Sequence, residues 1–402
     1  MSLAAGLHVA VVHDWLVTFG GAERVLHEIL LTFPQADLFA VVEDLPAAQR
    51  GLFPARIATS FIQRLPGARR HYWYYAPLMP LAIEQLDLGG YDLVISCSHA
   101  VARGVLVGPD QVHVSYVHSP MRFVWDLQAD YLRNFGWTRG PKRWLASLLF
   151  HYLRGWDQRA TPSVDLHLAA SHFIARRIRQ CWGVDATVLS PPIDIDRFRP
   201  DPAVARRDGH YLAGAIHNPF KRLDLLVRAF NRMPERRLTV FGAGPQGETL
   251  RRLAGPNIDF TGFLQPAEVH AEFLRAPAYL SAGTEDFGMA MVEAQACGTP
   301  VIAYARGGAS EIVRPLDDPH GQPTGVLFDA LTEDAVIEAV RRFETGRTRI
   351  RAADCRANAM RFAAAGFRAR LAALVDDTLA AHRRERAASR ADARPLAPED
   401  GA

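Results

Sequence analysis

Apolar positions along this chain alternate between two patterns. Short strand-like runs rich in apolar residues recur at Leu7 to Val12, Leu38 to Val42, Arg56 to Phe61, Tyr91 to Ser96, Val112 to Val117, Leu166 to Ala170 and Ala186 to Leu189. They resume at His210 to Ala215, Arg237 to Phe241, Ile258 to Leu264, Ala278 to Leu280, Val301 to Tyr304 and Thr324 to Phe328. Between them apolar residues fall at helical spacing. Examples are Ala22, Val25, Leu26, Ile29 and Leu30; Ile174 and Ile178; Leu223, Leu226, Val227 and Phe230; and Ala335 to Phe343. Apolar-rich strands separated by amphipathic helices predict parallel α/β sheets covered on both faces.

The alternation is interrupted once. Ser190-Pro191-Pro192 and the loop through Pro202 stop a strand, which predicts a domain boundary. The expected division is a first domain over 1–190, a linker over 191–205 and a second domain over 206–365. A helix follows over 366–381. The charged, Ala- and Pro-rich stretch 382–402 lacks core residues and is expected to be disordered.

Length and charge narrow the classes. The chain has 402 residues, enough for two cores, and a net charge of +3, which argues against wholesale nucleic-acid binding. The first residues read as a strand and not as a signal peptide, and no apolar run is long enough to span a membrane. The four cysteines form no CxxC, which suits free thiols in a cytoplasmic protein. Two segments are both basic and aromatic: Arg64 to Tyr75, and Arg133 to Trp156, read as one amphipathic helix with a cationic side. Packing within the domain and contact with an anionic membrane both fit them.

Candidate chemistry concentrates in Tyr279 to Val313. A strand end is followed by a polar turn, Ser281 to Gly288, and then by a helix carrying Met289, Val292, Glu293 and Ala296. Glu285 and Glu293 stand eight positions apart, Glu285 in the loop before the helix and Glu293 about two turns further on. Loops at the carboxyl ends of parallel strands are where open α/β sheets bind ligands. A helix start there offers N–H groups to an anion. Gly20-Gly21 after the first strand, and Lys221 after the first strand of the second half, suit phosphate in the same way. His13 and Asp14 lie close enough in sequence to line the same cleft, and His118 follows the end of the Val112 to Val117 strand. Gly242-Ala243-Gly244-Pro245 lacks the third glycine of a dinucleotide fingerprint. Asp194-Ile195-Asp196 is formally a DxD, a pattern that can hold a divalent cation. Behind two prolines it reads as turn chemistry, and no metal is expected.

The string around Glu285 and Glu293 resembles the nucleotide-sugar signature of glycosyltransferase family 4. Asp286-Phe287-Gly288, Glu293-Ala294, Cys297-Gly298-Thr299-Pro300-Val301 and Gly307-Gly308 followed by Glu311 match in order. The resemblance implies a GT-B fold: two Rossmann-like parallel-sheet domains facing a cleft, with the last helix returning to the first domain. It implies that Glu293 holds the ribose, and that Glu285 with the backbone of Phe287, Gly288 and Met289 lies by the sugar and phosphates. Lys221 would bind the diphosphate, Gly20 and Gly21 would face it, and His118 would contact the donor sugar. The turns at Gly242 and Leu264 would meet the nucleotide.

Activity, by the same resemblance, is transfer of a hexose with retention, metal-independent and without a cofactor. The expected donor is GDP-mannose, its mannose delivered to a glycan or lipid-linked acceptor in surface polysaccharide or lipopolysaccharide assembly. The enzyme would be cytoplasmic, with peripheral contact at the inner membrane face. One position departs from the pattern: Ile216 stands where relatives carry an arginine, beside His217. Two other readings stay open, a nucleotide-sugar epimerase of the same fold and a non-catalytic nucleotide-sugar-binding protein.

Overall fold

A computed structural model describes residues 3–392 apart from 5, 55, 135 and 215. Two sheets form it. The first contains β1 (Val9–His13), β2 (Asp37–Ala40), β3 (Ile57–Thr59), β4 (Leu93–Ser98), β5 (Val112–Val117), β6 (Leu166–Ala169) and β7 (Thr187–Val188). Its seven strands run in the order β3-β2-β1-β4-β5-β6-β7. The second contains β8 (His210–Gly214), β9 (Arg237–Phe241), β10 (Ile258–Gly262), β11 (Tyr279–Ser281), β12 (Val301–Tyr304) and β13 (Gly325–Phe328). Its six strands run β10-β9-β8-β11-β12-β13. Every strand pair is parallel. The order reverses between β1 and β4, and again between β8 and β11. A crevice opens at each such point, at the carboxyl ends of the strands.

Alternation along β1 explains the two layers of the first domain. Val9 and Val11 face one side, with Leu26 and Ile29 of helix Gly21–Thr32. Ala10 and Val12 face the other, with Ile83, Phe150 and Trp156. Within the helical layer of that second side, Arg103 is buried with Asp157 at 2.7 Å and lies 3.7 Å over the Trp182 ring. The second Asp157 oxygen accepts from the indoles of Trp125 and Trp182 at 2.8 and 2.7 Å. A buried charge pair persists only when its remaining valences are satisfied in this way.

The final helix, Ala364–Asp392, crosses back. Its Phe367, Leu371, Val375 and Leu379 complete the first-domain core, and Arg368 pairs with Glu28. Residues 382–392 are helical, which corrects the expected disorder from 382. Alanine and arginine have high helix propensity, the preceding turns are anchored, and Arg386 pairs with Asp110 at 2.5 Å. The rest of that stretch, 393–402, lies outside the described residues. The stretch from Arg133 to Trp156 is also corrected, from one helix to two: Gln128–Asn134 and Pro141–Arg159. Gly136 and Gly140, both at positive φ, break it, and Pro141 opens the second.

Candidate active site

Lys221 ends a short turn, Pro219–Lys221, held by the Asn218 side chain, which accepts the Lys221 N–H at 3.2 Å. Its Nζ lies 2.8 and 2.7 Å from the two oxygens of Glu285. The loop after β8 and the loop after β11 thus meet across the second domain's strand-order reversal. Gly288 turns the chain into helix Met289–Ala296 at φ 106, which a side chain resists, and a Cβ there would lie 2.0 Å from the Met291 methyl. Phe287 turns inward and packs edge-on to Phe362 at 5.3 Å, so only its backbone faces the turn.

Glu293 sits one turn into that helix with 7% of its surface exposed. Its partner comes from the other domain: the Arg24 guanidinium, one turn into helix Gly21–Thr32, donates to Glu293 Oε1. Burial pushes the Glu293 carboxyl up, and Arg24 draws it back. The two helix starts touch, because a Cβ on Gly21 would lie 3.0 Å from Met289 Sδ. Gly20 donates its N–H to Glu23 at 2.8 Å.

Other bonds clamp the two domains beside this point. Arg122 pairs with Asp286. Ser171 Oγ donates to the Asp286 carbonyl at 2.5 Å. The Glu311 carboxylate accepts the N–H groups of His172 and Phe173, each at 2.8 Å, and so caps a first-domain helix from the second domain. A cavity of about 650 Å³ between the domains is lined by Arg122, Asp126, Phe220, Arg222, Asp286 and Arg306, among others.

His118 follows β5 on the first-domain side. Its Nε2 lies 3.2 Å from Cys97 Sγ, with Tyr116 and His99 as ring neighbours at 5.0 and 6.3 Å. Burial, then the like charges of His99 and His13, hold its pKa well below the usual imidazole value. The ring is therefore neutral near pH 7. His13 and Asp14 do not line the cleft. Both are fully buried. The Asp14 carboxylate accepts the N–H groups of His99, Ala100, Val101 and Ala102 at 2.6 to 3.0 Å, which fixes the loop after β4.

Gly242 and Leu264 follow the carboxyl ends of β9 and β10, the strands on the outer side of β8. Gly242 N–H donates to Gly262 at 2.7 Å, and Leu264 is half-buried beside exposed Phe263. His217 is buried, lies 3.2 Å from the Phe241 carbonyl, and has its pKa lowered by that burial, so it supplies no cation at neutral pH. Asp194 accepts the Arg197 N–H at 3.0 Å within its turn. Sequence reasoning missed Arg24, for which only the neighbouring Gly20-Gly21 carried a signal, and it read Asp286 as part of the motif without its partner Arg122 across the cleft.

Two parallel α/β domains, a clamped cleft and a last helix that returns to the first domain are the GT-B architecture. Residues 19–197 match the model described as Glycosyltransferase Family 4, and residues 213–362 match Glycosyl transferases group 1. A GDP-mannose-dependent alpha-(1-6)-phosphatidylinositol monomannoside mannosyltransferase of Mycobacterium tuberculosis is 32% identical over 353 residues, covering 77% of this chain and 89% of that relative. The Mycolicibacterium smegmatis protein of the same description is 32% identical over 50% of this chain and 60% of its own length. A D-inositol 3-phosphate glycosyltransferase of Mycobacterium leprae is 38% identical over 39% of this chain and 42% of its own. Among solved structures, Anabaena HepE with UDP and glucose superposes with a TM-score of 0.65 at 18% identity, over 92% of this chain and 99% of that one. A sucrose-phosphate synthase from Thermosynechococcus elongatus gives 0.69 at 18%, over 93% and 100%. The chain belongs to glycosyltransferase family 4.

Proposed function

We propose that this glycosyltransferase moves mannose from GDP-mannose, with retention and without a metal, to a hydroxyl of a glycan or lipid-linked acceptor in surface polysaccharide assembly. The observation that carries the reading is the Lys221–Glu285 pair at 2.7 Å beside the Gly288 helix start and Glu293, facing Gly20 and Gly21. The mycobacterial relatives described as GDP-mannose-dependent support the donor. Lys221 and the amides at the Gly288 helix start oppose the charge that develops on the leaving diphosphate. The acceptor oxygen bonds to the anomeric carbon as the bond to the phosphate oxygen breaks, on the same face, and the hydroxyl proton passes to the departing phosphate. Glu293 accepts from the ribose, Glu285 and neutral His118 orient the sugar, and Gly242 and Leu264 border the nucleobase.

A thermal-shift screen against GDP-, UDP- and ADP-sugars tests the donor. Release of nucleoside diphosphate only when acceptor is present separates transfer from epimerisation and from mere binding. Activity should survive EDTA; loss restored by manganese would overturn metal independence.

The structure bears on location too. Among the described residues no helix is long and apolar enough to cross a membrane. Trp73, Tyr74 and Leu81 are exposed, as are Trp144, Leu145, Leu148 and Tyr152 on helix Pro141–Arg159. The buried Trp156 indole, near the end of that helix, donates to Glu84, three residues beyond Leu81, at 2.6 Å. Exposed rings beside Arg69, Arg70, Lys142 and Arg143 suit an anionic bilayer interface, on the order of 1 kcal/mol per cation. We propose reversible docking of this face at the inner membrane. Sedimentation with anionic vesicles at low salt should be lost on charge reversal at those four positions; vesicle binding indifferent to the reversal would remove the claim.

A further inference from the structure

We propose that Arg24 is a donor-binding residue supplied by the first domain, one that leaves Glu293 for the diphosphate when the donor enters. The inference rests on the reading that a nucleotide sugar occupies this cleft. In the structure each carboxylate of the pair is matched by one cation: Glu285 by Lys221 within the second domain, and Glu293 by Arg24 across the cleft. The Arg24 side chain is about a third exposed, at 34%, while Glu293 keeps only 9%. Solvent in the cleft therefore reaches the guanidinium more readily than the carboxylate. The two residues sit one turn into helices whose N-terminal ends touch at Gly21 and Met289, so both positive helix ends face the same gap.

A diphosphate brings negative charge to a place that already holds two cations and two carboxylates. Guanidinium binds phosphate oxygens in a planar, two-bonded fork. Arg24 can exchange its carboxylate partner for phosphate without loss of a charged partner. Glu293 is then left to accept neutral hydroxyl donors, which is what a ribose offers. No covalent bond changes; the exchange is one of hydrogen-bond partners. It also links the donor to the first domain, because the phosphate would hold Arg24 where Glu293 held it before.

A nucleoside without phosphates cannot compensate Arg24 for the lost carboxylate. This separates the proposal from a purely structural role. The test is calorimetric titration of the full chain at pH 7.5. The probes are whichever of GDP, UDP and ADP the wild type binds, and the matching nucleoside. Arg24→Ala should weaken the diphosphate at least tenfold and leave the nucleoside unchanged or tighter. Arg24→Lys should restore part of the diphosphate affinity, since an ammonium keeps the charge but not the fork; it also serves if Arg24→Ala fails to fold by circular dichroism. Diphosphate affinity within twofold of wild type in the folded variants would overturn the proposal. Equal weakening of nucleoside and diphosphate would overturn it as well, and would make Arg24 only a support for Glu293. A wild type that binds none of the three diphosphates would remove the functional reading itself, and this inference with it.

Discussion

Glu285 and Glu293 share a side chain and not an environment. Glu285 lies in a turn with Lys221 on both oxygens, at 2.8 and 2.7 Å. Glu293 is buried in a helix and reaches its cation only in the other domain. Glu293→Gln keeps the shape and removes the charge. Losing a charged acceptor costs roughly 1.5–3 kcal/mol, so nucleotide affinity should fall by about tenfold to a hundredfold, read by titration. Unchanged affinity would leave Glu293 as an interdomain strut alone. His118 makes a different prediction, because its named neighbours Cys97, Tyr116 and His99 all belong to the first domain. His118→Ala should lower turnover far more than nucleotide affinity. Its pKa lies well below 6.5, held down first by burial, so the ring stays neutral as pH falls from 7.5 to 6. The turnover profile of the wild type should show no histidine inflection in that range. An inflection near 6.5 that vanishes in His118→Ala would show that the ring titrates normally.

Elements were legible where one segment carried its own signal. Every strand follows an apolar run, and helix Gly21–Thr32 follows a plain stripe. Helix Pro266–Arg275 was not read, although Pro266 at its start and the Gln265–Glu268 capping box were there to find. Its two buried residues, Phe273 and Leu274, make too thin a stripe to register. The break in the Arg133 to Trp156 helix was visible in Gly136, Gly140 and Pro141, but the amphipathic pattern on either side outweighed them. Pairings between domains could not be read at all: Arg24 and Glu293 stand 269 positions apart, and neither position predicts the other. The same holds for Glu311, whose carboxylate caps helix His172–Trp182 from the opposite domain. Removing a side-chain cap costs about 1 kcal/mol. Glu311→Ala should lower the urea midpoint accordingly. It should also reduce turnover several-fold while leaving nucleotide affinity within about twofold, because Lys221, Glu285, Gly288 and Glu293 all lie in the second domain. A variant with normal turnover would make the cap a stability feature only.

The whole molecule responds to acid through histidines that the fold keeps neutral. His113 has its pKa lowered to about 3 by burial and then by Arg103 and His167, against the opposing pull of the Ser163 carbonyl. Its ring lies between the Ser96 hydroxyl at 2.9 Å and that carbonyl at 3.0 Å, an arrangement that suits the neutral tautomer with hydrogen on Nδ1. His167 is lowered to about 4 by burial and Arg103. Both folded values lie below the unfolded value near 6.5. The unfolded chain therefore takes up protons first as pH falls, and stability present above 6.5 is lost on the way down toward 4 and 3. At about 1.4 kcal/mol per pH unit, each ring removes on the order of 2 kcal/mol between pH 6.5 and 4.5. That is a large share of a typical stability of about 5–15 kcal/mol. Carboxylates with lowered pKa, such as Glu23 and Glu344, start from 4.5 and lose their contribution only below this window. Glu293 has the opposite sign: its raised pKa makes its contribution fade as pH rises through the folded value. Urea unfolding at pH 6.5, 5.5 and 4.5 should show stability falling steadily. His113→Gln keeps an amide donor and acceptor between Ser96 and Ser163 and removes the titration. Its slope below pH 6.5 should be shallower than wild type by about 1.4 kcal/mol per unit. Parallel slopes in the two proteins would mean that His113 is protonated in the folded state, and that the acid sensitivity arises elsewhere.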